Sequence, residues 1–368
     1  MESRGVVMVN KENLVNERIV GFDIVKALAM LFVVLLHVNG YCKDLKFESY
    51  SQGSQTLFYI IEAIAYPAIH LFVLAGSYFM IMKKPSLKQY LKLYFPMWIV
   101  TMIGMIIIGI VKPEWLSVEA SMQCVFPFFG RAYWFVSEYM VLMLLSPILN
   151  GVLKCLEKKV LIVGVLALTL YVSVFPTLQF YNWNGSSLDL FILLYLYVGL
   201  IQKLDIKGMK KIGLCVWSIS CVGLISSVYL IKLFAQHIDF FKGREMQFYS
   251  YYSVPVIAMA LSLFILFKEI RIKNQKVIKV FSLLSGSSLV TYMYHMHPIF
   301  KLHYTEAGIF NYINVDKGMD YLCGVLLTGI IVVGGGILLN FMLTWVVSSL
   351  INWLYMKVQK GLQCTNNR

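Results

Sequence analysis

The chain of 368 residues is 59% hydrophobic and only 14% charged, its mean hydropathy is +0.72, and apolar runs recur along its whole length. That composition excludes a soluble globular protein and reads as an all-α, polytopic transmembrane helical bundle. The net charge of +13 does not mark a nucleic-acid partner, because there is no soluble domain to carry a basic patch; membrane topology explains it.

Ten apolar segments read as spans in chain order, near residues 20–39, 57–81, 93–111, 133–152, 160–177, 188–202, 212–233, 249–267, 281–300 and 320–356. Residues 1–19 read as a cytoplasmic N-terminal segment, 20–356 as one transmembrane domain and 357–368 as a cytoplasmic tail. Outside the spans, 22 lysines and arginines fall on the side that holds both termini and nine on the other. The positive-inside rule then places both termini in the cytoplasm, with the chain a multi-pass protein of the plasma membrane.

The first span carries Asp23, Lys26 and His37. Ionisable groups inside a span mark a functional site. At about 100° per residue the eleven steps from Lys26 to His37 leave the two roughly 20° apart on one helix face, with His37 about 16 Å further out. No small-residue cleavage site follows, so this segment is expected to be a retained helix rather than a secretory signal. In the second span His70 is expected to be a hydrogen-bonded packing residue.

Glu138 in the fourth span, Asp189 at the start of the sixth and His295 late in the ninth reach a depth similar to that of His37. Such a convergence points to a water-accessible cavity with proton chemistry. The plainer alternative makes Glu138 and Asp189 interfacial residues wetted by headgroup water. His295 and His297 do not make a metal pair, since residues two apart on a helix point about 200° apart, and no metal site is expected. The seven cysteines lack metal or disulfide spacing and read as small packing residues.

Tyr133, Trp134, Trp183, Tyr251 and Tyr252 fall at outer span ends, where an interfacial aromatic belt accounts for most of them and a subset can stack on a sugar ring. The last segment reads as one tilted helix with an amphipathic cytoplasmic extension around Trp353 and Tyr355. Within it, Gly334, Gly335 and Gly336 are expected to permit close helix packing.

Four stretches, in order, carry a resemblance. They are Phe22-Asp23-Ile24-Val25-Lys26-Ala27-Leu28-Ala29 with His37, Leu71-Phe72-Val73-Leu74-Ala75-Gly76-Ser77-Tyr78-Phe79, Trp134-Phe135-Val136-Ser137-Glu138 through Ser146-Pro147, and Ser285-Gly286-Ser287-Ser288 through Tyr294-His295. Together they resemble the membrane acyltransferase-3 family. Those enzymes have ten spans and move acetyl or other short acyl groups from cytoplasmic acyl-coenzyme A to extracytoplasmic glycans, peptidoglycan or lipids. The chain departs from the family where Lys26 replaces the first-span arginine. It departs again where Lys88 and Lys92 stand in place of an intact Arg-x-x-Arg, and Glu138 lies about one position from the family's glutamate. Lysine neutralises phosphate as a point charge without arginine's bidentate fork.

The resemblance implies acyl-coenzyme A as co-substrate, with no permanently bound cofactor, and a glycan or lipid-linked sugar as acceptor beside membrane lipid. It implies His37 as general base on the acceptor hydroxyl, Glu138 and His295 as further catalytic residues, the latter binding substrate or an oxyanion. Asp23, Lys26, Lys88 and Lys92 fall to the donor side, with Asp23 pairing with Lys26 or orienting a water. Trp134 and Asp189 fall to the acceptor side. The rival class is a membrane transporter or flippase, for which a polar stripe and outer cavity are equally natural, and a third is a non-catalytic subunit or sensor.

Overall fold

A computed structural model describes residues 20–178, 187–206 and 208–366. The predicted N-terminal segment 1–19, Trp183 and the end of the predicted tail lie outside the described residues. Among those described, every regular element is helical. In chain order they are α1 (Val20–Lys46), α2 (Gln52–Ala65), α3 (Ala68–Met82), α4 (Leu87–Val111), α5 (Val118–Val125) and α6 (Trp134–Cys155). There follow α7 (Lys158–Thr169), α8 (Ser187–Lys203), α9 (Lys210–Ala235), α10 (Val254–Lys268), α11 (Gln275–His295), α12 (Phe300–Ala307) and α13 (Gly318–Asn366). A π-helical turn over Leu170–Val174 carries α7 on toward Thr177.

Among the described residues eight helical stretches are long and apolar enough to cross a membrane, against the ten read from the sequence. The predicted spans 188–202 and 249–267 become α8, of 17 residues, and α10, of 15. Fifteen residues rise about 22 Å, short of the ~30 Å hydrocarbon core. α10 is short because Tyr249 to Ser253 form a turn above it rather than its first turn. α8 instead lies in the interior, with Leu190, Phe191, Leu193, Leu194, Tyr195 and Val198 all buried against α3 and α6.

The second predicted span is broken at Tyr66–Pro67, since proline lacks the N–H that would continue the ladder of α2. α4 begins at Leu87, where the Ser86 backbone N–H donates to Gln89 Oε1 at 2.7 Å. Lys88 and Lys92 therefore stand on its first two turns rather than in a stretch before the span.

α1 is the central helix, packed by α2, α3, α10, α11 and α13. α13 runs unbroken for 49 residues, so the predicted boundary between 356 and 357 falls inside it. Its glycine run lets it approach α11. A Cβ on Gly336 would stand 2.0 Å from Thr291 Oγ1, and one on Gly335 3.0 Å from the Tyr294 hydroxyl. That hydroxyl donates to the Val332 carbonyl at 2.5 Å. A Cβ on Gly334 meets nothing within 4 Å.

Candidate active site

Helical periodicity sets two facing stripes. On α1, Lys26, Met30, Val33 and His37 are spaced four, three and four residues apart; on α11, Ser285, Ser288, Tyr292 and His295 are spaced three, four and three. Each set stays on one face. All but His295 line a cavity of about 230 Å³, closed by Ile69 and Phe72 of α3, Leu93 of α4, Trp134, Phe135 and Tyr139 of α6, and Tyr251.

Toward the C-terminal end of α1, His37 Nδ1 lies 3.0 Å from His295 Nε2, joining side chains 258 residues apart. His295 Nδ1 lies 2.5 Å from the Thr291 carbonyl oxygen. A carbonyl can only accept, so His295 carries its proton on Nδ1 and, as a neutral ring, accepts at Nε2. His37 must then donate from Nδ1, which leaves its Nε2 as the proton-accepting nitrogen. Both ring nitrogens of His295 are engaged in this arrangement, one by the Thr291 carbonyl and one by His37.

Lys26 lines the cavity nearer the N-terminal end of α1, its ammonium 5.5 Å from the centroid of the Phe79 ring, a cation–π arrangement. Asp23 is buried nearly one turn nearer the start of α1 and is not on the cavity wall. Lys88 and Lys92 line a separate groove of about 460 Å³ between α4, α11 and α13. The side chain of Leu289 walls both spaces.

Glu138 is buried, and its Oε1 accepts from Arg131 Nη2 at 2.5 Å. Its neighbours Phe135, Val136 and Tyr139 reach the cavity; Glu138 does not. Asp189 is also off the wall, its Oδ1 accepting from the Leu190 backbone N–H at 2.7 Å in the first turn of α8. Both carboxylates thus have structural partners rather than cavity exposure. Trp134 does reach the cavity, and so does Tyr251, so these two are not confined to an interfacial belt. Tyr133 is fully buried as well, because its hydroxyl donates to the Met293 carbonyl at 2.7 Å and needs no water.

His70, expected to be a hydrogen-bonded packing residue, donates from Nε2 to the Tyr251 carbonyl at 2.6 Å and so holds a wall residue in place. His297 turns away from His295 to the Thr101 carbonyl, 3.1 Å from its Nε2. Among the described residues no group of three or more histidine, cysteine, aspartate or glutamate side chains is placed to hold a metal ion.

Sequence reasoning missed a buried network beside the site. Asn39 Nδ2 donates to Glu62 Oε1 at 2.7 Å and to the Phe58 carbonyl at 3.2 Å, while the Tyr321 hydroxyl donates to Asn39 Oδ1. It ties the C-terminal half of α1 to α2 and α13. The rule that singles out ionisable groups within spans applied equally to Glu62. Ser285, Ser288 and Tyr292 were also legible, as residues sharing the face of His295.

A family model described as an acyltransferase domain, acyltransferase 3, matches residues 19–348, from the start of α1 into α13. No match was found among curated proteins or among solved structures. The match takes in His37, His295, every residue lining the cavity between them and Lys26, and nearly all of the helical bundle, and the chain belongs to the acyltransferase-3 family of membrane-bound acyltransferases.

Proposed function

We propose that this acyltransferase moves an acetyl or other short acyl group from cytoplasmic acyl-coenzyme A to a hydroxyl of an extracytoplasmic glycan or lipid-linked sugar. It would do so in the plasma membrane, with α8 and α10 completing ten crossings and both termini in the cytoplasm. The distribution of basic residues, 22 against nine, supports that orientation. The observation that carries the reading is the proton-accepting Nε2 of His37, on a side chain that lines a cavity whose other end holds Lys26.

The acyl donor would enter from the cytoplasmic side, its phosphates near Lys26, Lys88 and Lys92, and its thioester arm would lie along the α1 and α11 stripes. The acceptor hydroxyl attacks the thioester carbonyl while His37 Nε2 removes its proton. A C–O bond forms, the C–S bond breaks, and the proton passes from His37 to the departing thiolate. The two half-transfers cancel, so the enzyme ends as it began. While His37 is charged, its Nδ1–H donates to His295 Nε2, and the Thr291 carbonyl holds His295 in the tautomer that accepts.

Family membership favours transfer over the transport or flippase reading. The test is thioester consumption and label transfer by purified protein with labelled acetyl-coenzyme A and a surface-glycan extract. His37→Ala is expected to lower transfer by about 10²–10⁴-fold, the usual contribution of a general base, with normal expression and folding. Transfer retained in that variant would refute the assignment.

A further inference from the structure

Beside the catalytic cavity, and sharing Leu289 with it as a lining residue, lies the groove that holds Lys88 and Lys92. Its opposite wall is a ladder on α13: Asn340, Thr344, Ser348 and Asn352, each four residues after the last. At 1.5 Å per residue the ladder extends about 18 Å along the helix. Phe341, Met342, Trp345 and Val346, on its other faces, are exposed and apolar, as suits lipid. Amides and hydroxyls repeated along one face of such a helix find no hydrogen-bond partners in hydrocarbon, so that face calls for a polar occupant.

Charge narrows the choice of occupant. Lys88 and Lys92 stand one turn apart at the N-terminal end of α4, where the helix dipole adds partial positive charge. No aspartate or glutamate is among the residues lining the groove. Lys88 Nζ already donates to Asn352 Oδ1 at 3.0 Å, so ladder and cations act on the same space. Thr344 donates to the Asn340 carbonyl at 2.6 Å, which leaves its oxygen as an acceptor.

We infer that α13 forms half of a nucleotide subsite: the Asn340–Thr344–Ser348–Asn352 ladder hydrogen-bonds the adenosine and ribose of the acyl donor while Lys88 and Lys92 hold its phosphates. This rests on the proposed acyl-coenzyme A donor. It adds that recognition of the nucleotide is divided between α4 and the last helix, with Leu289 as the one residue that lines both that subsite and the catalytic cavity.

The test uses the full chain in nanodiscs and adenosine 3′,5′-bisphosphate, a fragment without the thioester, alongside kinetics with acetyl-coenzyme A and acetyl-pantetheine. The variants are Thr344→Val with Ser348→Ala, and Asn352→Leu. In the wild type the bisphosphate should raise the unfolding temperature and compete with acetyl-coenzyme A. Each variant should raise KM for acetyl-coenzyme A by about tenfold, the loss of one or two hydrogen bonds, with kcat retained. The preference for acetyl-coenzyme A over acetyl-pantetheine should shrink by the same factor. Equal nucleotide binding by wild type and variants would overturn the inference. So would stabilisation by phosphatidylglycerol, but not by the nucleotide, that the variants lose; this marks a lipid headgroup site. Ladder variants that match a wild type active with acetyl-coenzyme A sink this inference alone. Transfer that survives His37→Ala sinks the mechanism alone.

Discussion

A neutral imidazole that takes a proton at one nitrogen must present its other N–H to a group that tolerates the new positive charge. For His37 that group is a second imidazole, His295, oriented by a backbone carbonyl instead of a carboxylate. The proposed mechanism therefore makes His295 a positioning residue. His295→Ala is expected to lower kcat by about tenfold or more with KM for the donor unchanged, and His295→Gln, whose side-chain oxygen can still accept, to recover part of it. Steady-state kinetics with acetyl-coenzyme A decides this; a change confined to KM would argue that His295 binds substrate instead. At the other end of the cavity, Lys26→Ala should raise donor KM while Lys26→Arg preserves it, because the proposed role needs only a cation at that depth. Lys26 and His37 were legible in the sequence, since both lie in one apolar run and 100° periodicity places them on one face. Their pairing partners were less so. His295 could be placed at the right depth, but a contact across 258 residues is settled by packing, which no local pattern encodes.

Helix packing holds those residues in register. α13 comes close to α11 at Gly336, where an added Cβ would stand 2.8 Å from Thr291 Cα, an atom that cannot rotate away. Gly336→Ala is expected to destabilise the protein by about 1–3 kcal/mol, the usual cost of overpacking. Because the Thr291 carbonyl orients His295, kcat should fall too. Gly334→Ala, with open space around it, should change neither. Thermal unfolding of the detergent-solubilised variants checks the pair. The Asn39–Glu62–Tyr321 network does similar work for the C-terminal half of α1. Glu62→Ala is expected to cost about 1–3 kcal/mol by leaving the Asn39 amide short of a buried partner, and Glu62→Gln, which keeps an acceptor oxygen, less. At this scale the expectation of close packing holds at Gly335 and Gly336, and the interfacial-belt expectation fails at Tyr133, which is fully buried. Hydropathy places an aromatic near a span end without saying whether it faces headgroups, a cavity or the core. Only the Met293 carbonyl beneath the Tyr133 hydroxyl makes the difference.

Across the whole molecule, the all-helical class and the family were legible, and the number of full-length crossings was not. α8 and α10 are apolar enough to read as spans, yet α8 lies inside the bundle and α10 begins only after the turn at Tyr249 to Ser253. If all ten helices cross, cysteines placed at Lys83 and Lys273 should be labelled from the cytoplasmic side alone and one at Lys242 from the outside alone. Labelling of Lys83 and Lys273 from opposite sides would remove α8 or α10 from the set of crossings. The central claim is that His37 takes the proton of an acceptor on one side of the membrane while the acyl donor is supplied from the other. The most direct measurement uses sealed inside-out vesicles loaded with glycan acceptor, with labelled acetyl-coenzyme A added outside, comparing wild type with His37→Ala. Labelled glycan in the lumen for the wild type, and none for the variant, is the result the mechanism requires. Lumenal labelling that persists in the variant, or label found only on acceptor supplied to the donor side, would contradict it.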